Sequence, residues 1–128
     1  MFKLFALITG GAIGTLSRYY LSGFVNNYFG ISFPYGTFIV NMAGSFLIGF
    51  LWGVSDFFPF SPNWRNFIFV GCLGGFTTFS TYMLESLNYI KDGNIKTGLL
   101  NLVISTGIGL AMVILGLIIS RAILPVTR

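Results

Sequence analysis

The sequence predicts an all-α integral membrane protein with four transmembrane helices, the third of them broken at mid-membrane. Three observations carry that expectation. Hydrophobic residues fill 55% of the 128 positions and charged residues only 8%, and the mean hydropathy is +0.85. The apolar residues gather in long blocks rather than in the alternating faces of a soluble domain. One of those blocks interrupts itself with paired glycines and a run of hydroxyl residues, where a spanning helix should be uniformly apolar.

A spanning helix needs roughly 20 mainly apolar residues, and the blocks lie near 4–22, 35–55, 66–90 and 96–123, forming one transmembrane domain over 1–128. In the first, Lys3 precedes an apolar run that continues to Arg18 without a small-residue cleavage site, so the block is expected to stay as a span and not to be removed as a secretory signal. Asn26, Asn27, Gly30 and Ser32 mark a loop over 24–33. Pro34 then suits the first turn of the second helix, where its missing N–H is not needed. Pro59 and Pro62 among aromatics mark an interfacial loop over 56–65, and Lys91, Asp92, Gly93 and Asn94 form a tight turn before the last block. Cys72 is the only cysteine and can form no intrachain disulfide. With no His in the chain, the usual proton relay and the commonest transition-metal ligand are missing.

Seven Lys+Arg stand against three Asp+Glu. The surplus reads as juxtamembrane contact with a lipid bilayer, and no nucleic-acid partner is expected. Four spans put both termini on one side, with Lys3, Arg65, Arg121 and Arg128; Arg18, Lys91 and Lys96 fall nearer the other. So even a distribution hints at insertion in both orientations, although reassigning one span-end residue such as Arg18 or Arg121 would fix a single one. Four helices barely enclose a path across a bilayer, so a homo-oligomer is expected. Gly10/Gly14, Gly49/Gly53 and Gly71/Gly75 permit close helix approach, within one bundle or between copies.

Counting about 1.5 Å per residue from Asn66 brings the third block to mid-bilayer near Thr77. Gly74 and Gly75 weaken the helix there, and Thr77 and Thr78 offer competing local hydrogen bonds. Broken backbone at that depth is tolerated only against protein or a hydrated cavity. Its carbonyls would suit a hard cation such as Na⁺, while a simple kink or packing seam accounts equally for the composition. The acids Asp56 and Asp92 lie in loops and Glu85 lies towards the far end of the third block, so the deep carboxylate of a proton-driven exporter is missing from the other spans. Neutral groups replace it: Asn41, Ser45, Thr77, Thr78, Ser80, Thr81, Asn101, Ser105 and Thr106 could together solvate a small anion. Asn101, Ser105 and Gly109 align as a stripe on the fourth helix. Phe79 and Tyr82, three apart, share a face; their ring edges carry partial positive charge, though core packing is the alternative use.

Three stretches resemble, in order, the signatures of the Fluc-type (CrcB) fluoride channels: Gly10-Gly-Ala-Ile-Gly-Thr-Leu-Ser-Arg18-Tyr19, Gly36-Thr-Phe-Ile-Val-Asn41-Met-Ala-Gly44-Ser-Phe, and Gly71-Cys-Leu-Gly-Gly-Phe-Thr-Thr-Phe-Ser-Thr-Tyr82. The resemblance implies a dual-topology antiparallel homodimer in the cell membrane, with two fluoride pores and a structural Na⁺ at the centre of the interface. It implies that Gly74 and Thr77 give backbone carbonyls to Na⁺, that Phe79 begins the aromatic pair lining the pores, and that Asn41 is the pore asparagine. Ser80, Thr81 and Ser105 become pore-side hydrogen-bonding groups, Arg18 a cation near the pore mouth, and Glu85 a residue near a pore end. Position 82 is Tyr where the second ring is typically Phe, which adds a hydroxyl. The implied activity is passive, selective export of fluoride from the cytoplasm, with no enzymatic step. A small dual-topology multidrug exporter and a non-conducting assembly subunit are the other classes compatible with this size.

Overall fold

The computed structural model describes residues 2–124, so Arg128, counted above among the cations of one side, lies outside the described residues. In chain order the elements are α1 (Phe2–Phe29), α2 (Tyr35–Ser55), α3 (Pro62–Arg65), a π-helical stretch (Asn66–Leu73), α4 (Gly74–Phe76), α5 (Phe79–Lys91) and α6 (Ile95–Ile123). The described residues contain no strand. Three helical rods are long and apolar enough to cross a membrane: α2, the composite rod Pro62–Lys91, and α6. The 28-residue α1 matches them in length but carries Lys3, Arg18 and two asparagines, which lower its apolarity.

α1 runs past Ser22 and through the asparagines read as loop, ending at Phe29. Gly30 stops it with φ of 81°, and its amide closes the last turn on the Asn26 carbonyl at 2.9 Å. Asn26 also reaches across the turn: its Oδ1 accepts the Gly36 amide at 2.8 Å and so ties the start of α2 to α1. The Tyr89 hydroxyl donates to the Ile31 carbonyl at 3.0 Å, which fastens the same loop to the end of α5.

Packing follows the glycines. α1 lies against the π-helical stretch and α4, while α2 and α5 both pack on α6. A Cβ on Gly10 would overlap the Phe67 carbonyl, and one on Gly14 the Cys72 carbonyl. Along the α2–α6 seam, Gly49 faces the Val113 carbonyl, Gly53 the Ser120 hydroxyl and Gly116 the Phe46 carbonyl, each too close for a side chain. These small-residue spacings therefore serve contacts inside one chain, backbone against backbone except at Gly53, which meets a side chain.

The distribution of polarity is that of a protein whose solvent is apolar. Thr37, Thr78, Ser86, Asn101, Ser105 and Ser120 are buried, while large residues such as Leu84, Val103, Leu110 and Ile118 are exposed. At one end of the bundle, Arg121 pairs with Asp56 at 2.7 Å and the Arg65 guanidinium sits 5.5 Å from the Trp52 ring centre. Lys91 and Lys96 flank the turn at the other end, where Gly93 has φ of 82°.

Candidate functional site

The rod Pro62–Lys91 is interrupted at Thr77 and Thr78, whose backbones are extended, with φ/ψ of −81°/151° and −143°/113°. Before the interruption the helix is already widened, since the Gly74 amide reaches back to the Phe69 carbonyl. An interruption strands peptide groups that a continuous helix would pair. Asn41 on α2 takes up both sides of one residue: its Nδ2 donates to the Thr78 carbonyl at 3.0 Å, and the Thr78 amide donates to its Oδ1 at 2.8 Å. Gly44, one turn further along α2, makes room for the bend, because a Cβ there would overlap the Thr77 methyl. Thr78 then caps α5, its Oγ1 accepting the Thr81 amide at 3.3 Å.

These substitutions release two specific carbonyls. In an unbroken helix the Thr78 amide would bond to the Gly74 carbonyl and the Thr81 amide to the Thr77 carbonyl. Both amides are committed elsewhere, to Asn41 and to the Thr78 hydroxyl. Gly74 is exposed on the surface of the chain. Among the described residues no group of three His, Cys, Asp or Glu could hold a metal ion.

Two clefts flank the break. The larger, of about 520 Å³, brings together Asn41, Gly74, Thr77, Phe79, Tyr82 and Ser105. The Phe79 and Tyr82 rings stand edge to face, 5.1 Å between centroids at 87°, with Phe79 69% exposed and Tyr82 8%. The smaller, of about 290 Å³, is lined by Arg18, Ser22, Thr37 and Thr81 among others, and Thr78 borders both. The hydroxyl oxygens of Thr78 and Thr81 are 2.8 Å apart, and Ser80 Oγ stands 3.5 Å from Thr78 Oγ1. Ser80 is exposed and lines neither cleft.

Glu85 also lies outside both clefts. Its Oε1 accepts the Thr37 hydroxyl at 2.6 Å, while Oε2 is buried without a partner among the described residues. Thr37 was not singled out by sequence reasoning, although it stands four residues before Asn41 and so shares its helix face. Ser86 was likewise missed. It is 1% exposed, accepts from Asn101 Nδ2 at 2.8 Å and donates to the Tyr82 carbonyl at 2.7 Å. Asn101 Nδ2 also points at that carbonyl, at 3.4 Å, and its Oδ1 accepts the Ser105 hydroxyl at 3.0 Å.

The arrangement is thus a braced helix break between two clefts, the larger mostly apolar with a few neutral polar groups and the smaller lined by hydroxyls and one arginine. The family model described as "CrcB-like protein, Camphor Resistance (CrcB)" matches residues 5–117, from within α1 to within α6. The chain belongs to the CrcB family. A CrcB relative from Parabacteroides distasonis, named fluoride-specific ion channel FluC, is 42% identical over 128 residues and 100% of both chains. Proteins of the same name from Salinibacter ruber and Pyrococcus abyssi are 42% and 39% identical over 116 residues, covering 91% and 90% of this chain and 87% and 93% of their own. With its three apolar rods and its CrcB membership, the chain is a multi-pass membrane protein.

Proposed function

We propose that this CrcB chain is a passive fluoride channel that carries F⁻ out of the cytoplasm through the cell membrane as an antiparallel homodimer. The observation that carries the reading is the clamp of Asn41 on Thr78, which holds a helix open beside an aromatic pair and neutral donors. Its full-length relative is named as a fluoride-specific ion channel, which favours conduction over the exporter and scaffold alternatives and over any enzyme.

On this reading α1 is a fourth crossing, and the break lies at mid-membrane. Both clefts and the Gly74 backbone open on the surface of a single chain, so a second copy would close them. Antiparallel two-fold symmetry would repeat each path, giving two pores per dimer. Gly74 and Thr77 fit a structural Na⁺: their carbonyls are hard oxygen donors freed from helix bonding, and two copies would supply four. A bound Na⁺ would supply fixed positive charge and lock the two copies together.

Fluoride is small and strongly hydrated, so the path must replace its water with donors. Arg18 raises the local anion concentration at the mouth of the smaller cleft, with Thr37 and Thr81 beside it. In the larger cleft the ring edges of Phe79 and Tyr82 and the remaining N–H of Asn41 offer partial positive charge without a full cation. Such donors bind weakly enough to let the ion leave, and a narrow path excludes larger chloride. Ser80 would meet the ion only through a second copy, and Glu85 stands near a pore end, anchored by Thr37. Cells that take up HF from acid surroundings trap F⁻ in a neutral cytoplasm, and a passive path releases it.

Expression in a bacterium deprived of its own fluoride exporter tests the reading. Restored growth on fluoride medium is expected, and none from Asn41→Leu; a well-expressed wild type that restores nothing would overturn the assignment.

A further inference from the structure

The buried contacts between α5 and α6 fix the direction of a hydroxyl proton at the wall of the larger cleft. The Tyr82 carbonyl can only accept, so the Asn101 atom 3.4 Å from it is the amide nitrogen. Ser86 already donates its hydroxyl proton to that carbonyl at 2.7 Å, so towards Asn101 it too acts as an acceptor. Two acceptors therefore set the Asn101 amide in one orientation, with Oδ1 towards Ser105. Ser105 must then donate to Oδ1, and its 3.0 Å bond uses the only proton the hydroxyl has. Ser105 is 8% exposed and forms part of the wall of the larger cleft, whereas Asn101 is 1% exposed and does not line it.

We propose that Asn101 is a positioning residue that withholds the Ser105 proton from the larger cleft, so that Ser105 meets a permeating anion with lone pairs unless it gives up its bond to Asn101. The proposal rests on the channel reading and deepens it. Giving up that bond would leave Asn101 Oδ1 buried and unpaired, which water cannot repair at this depth. Fluoride therefore gains little from Ser105, and the site does not hold the ion. The stripe of Asn101, Ser105 and Gly109 along α6 is then no row of equal donors: Gly109 has none, Ser105 has its proton engaged, and Asn101 is the group that engages it.

Asn101→Leu keeps the number and branching of the side-chain heavy atoms and removes the acceptor. The Ser105 hydroxyl would fall back on the residue-101 carbonyl one turn earlier, which the helix already satisfies, so leaving it for an anion costs less. Fluoride efflux is measured from liposomes over a range of fluoride concentrations, with wild type, Asn101→Leu, Ser105→Ala and the double variant. Half-saturating fluoride is expected to fall about three- to tenfold in Asn101→Leu, and the gain to vanish when Ser105→Ala is added. Ser105→Ala alone removes the hydroxyl and strands Asn101 Oδ1, so it is expected to lower unfolding stability in detergent while changing half-saturation by less than about twofold. A merely structural role for Asn101 would lower flux without moving half-saturation and without depending on Ser105. A conducting wild type with about tenfold weakening from Ser105→Ala alone, or with additive Asn101 and Ser105 effects, overturns this inference and leaves the channel reading intact. A wild type that passes no fluoride overturns both.

Discussion

At the level of single residues, Asn41 matters most because both of its amide arms are committed to Thr78. Asn41→Ala strands the Thr78 amide and carbonyl, each at a cost of about 1–3 kcal/mol. It is expected to lower both unfolding stability in detergent and fluoride flux, whereas loss of flux at unchanged stability would make Asn41 a direct ligand and not a brace. The edge-to-face pair divides differently. Phe79→Ile should remove most conduction while Tyr82→Phe keeps it within about tenfold, since the Tyr82 ring remains and only its hydroxyl is lost. Equal efflux from the two variants would refute the role given to Phe79. Asn41 was legible in the sequence as a polar residue too costly to leave idle in lipid, and so was the weakness at Thr77 and Thr78. That both arms of Asn41 close on Thr78 was not legible, because a hydrogen-bond partner 37 residues away is fixed by how α2 docks, not by local pattern. The same holds for Ser86, which looks like an ordinary helical serine until α6 delivers Asn101 to it.

At the level of elements, backbone contact through glycine joins α1 to the π-helical stretch and α2 to α6. Gly14→Val would drive a side chain into the Cys72 carbonyl, and overpacking of this kind costs about 1–3 kcal/mol. Gly23, on the same helix, has open space around it, and Gly23→Ala should leave stability unchanged or raise it by up to about 1 kcal/mol. Unfolding midpoints of the two variants in detergent check the contrast, and comparable losses would mean the seam is looser than its geometry. The helix boundaries show where sequence reading stops. Pro34 and Gly93 punctuate the chain as their chemistry requires, but the asparagines at 26 and 27 belong to α1 because Asn26 turns its side chain onto the Gly36 amide. The widened turns over Asn66–Leu73 carry no local signal: after Asn66 the segment is apolar like any spanning helix, and only the fold shows its wider turns packed on α1.

For the molecule as a whole, polar residues are buried under an apolar surface and two clefts open to the outside, and on the proposed channel reading a second copy closes them. If Na⁺ bridges the Gly74 and Thr77 carbonyls of two copies, replacing it by a larger organic cation should weaken the dimer by about tenfold or more, read from subunit exchange in detergent. An exchange rate indifferent to Na⁺ would remove the ion from the account. The central claim is narrower: the braced break forms a path for fluoride and excludes chloride. The most direct measurement is efflux from liposomes containing the purified protein and loaded with equal fluoride and chloride, both followed by ion-selective electrodes. The account predicts rapid loss of fluoride with chloride retained, and equal loss of both ions, or retention of both by a verified dimer, would contradict it.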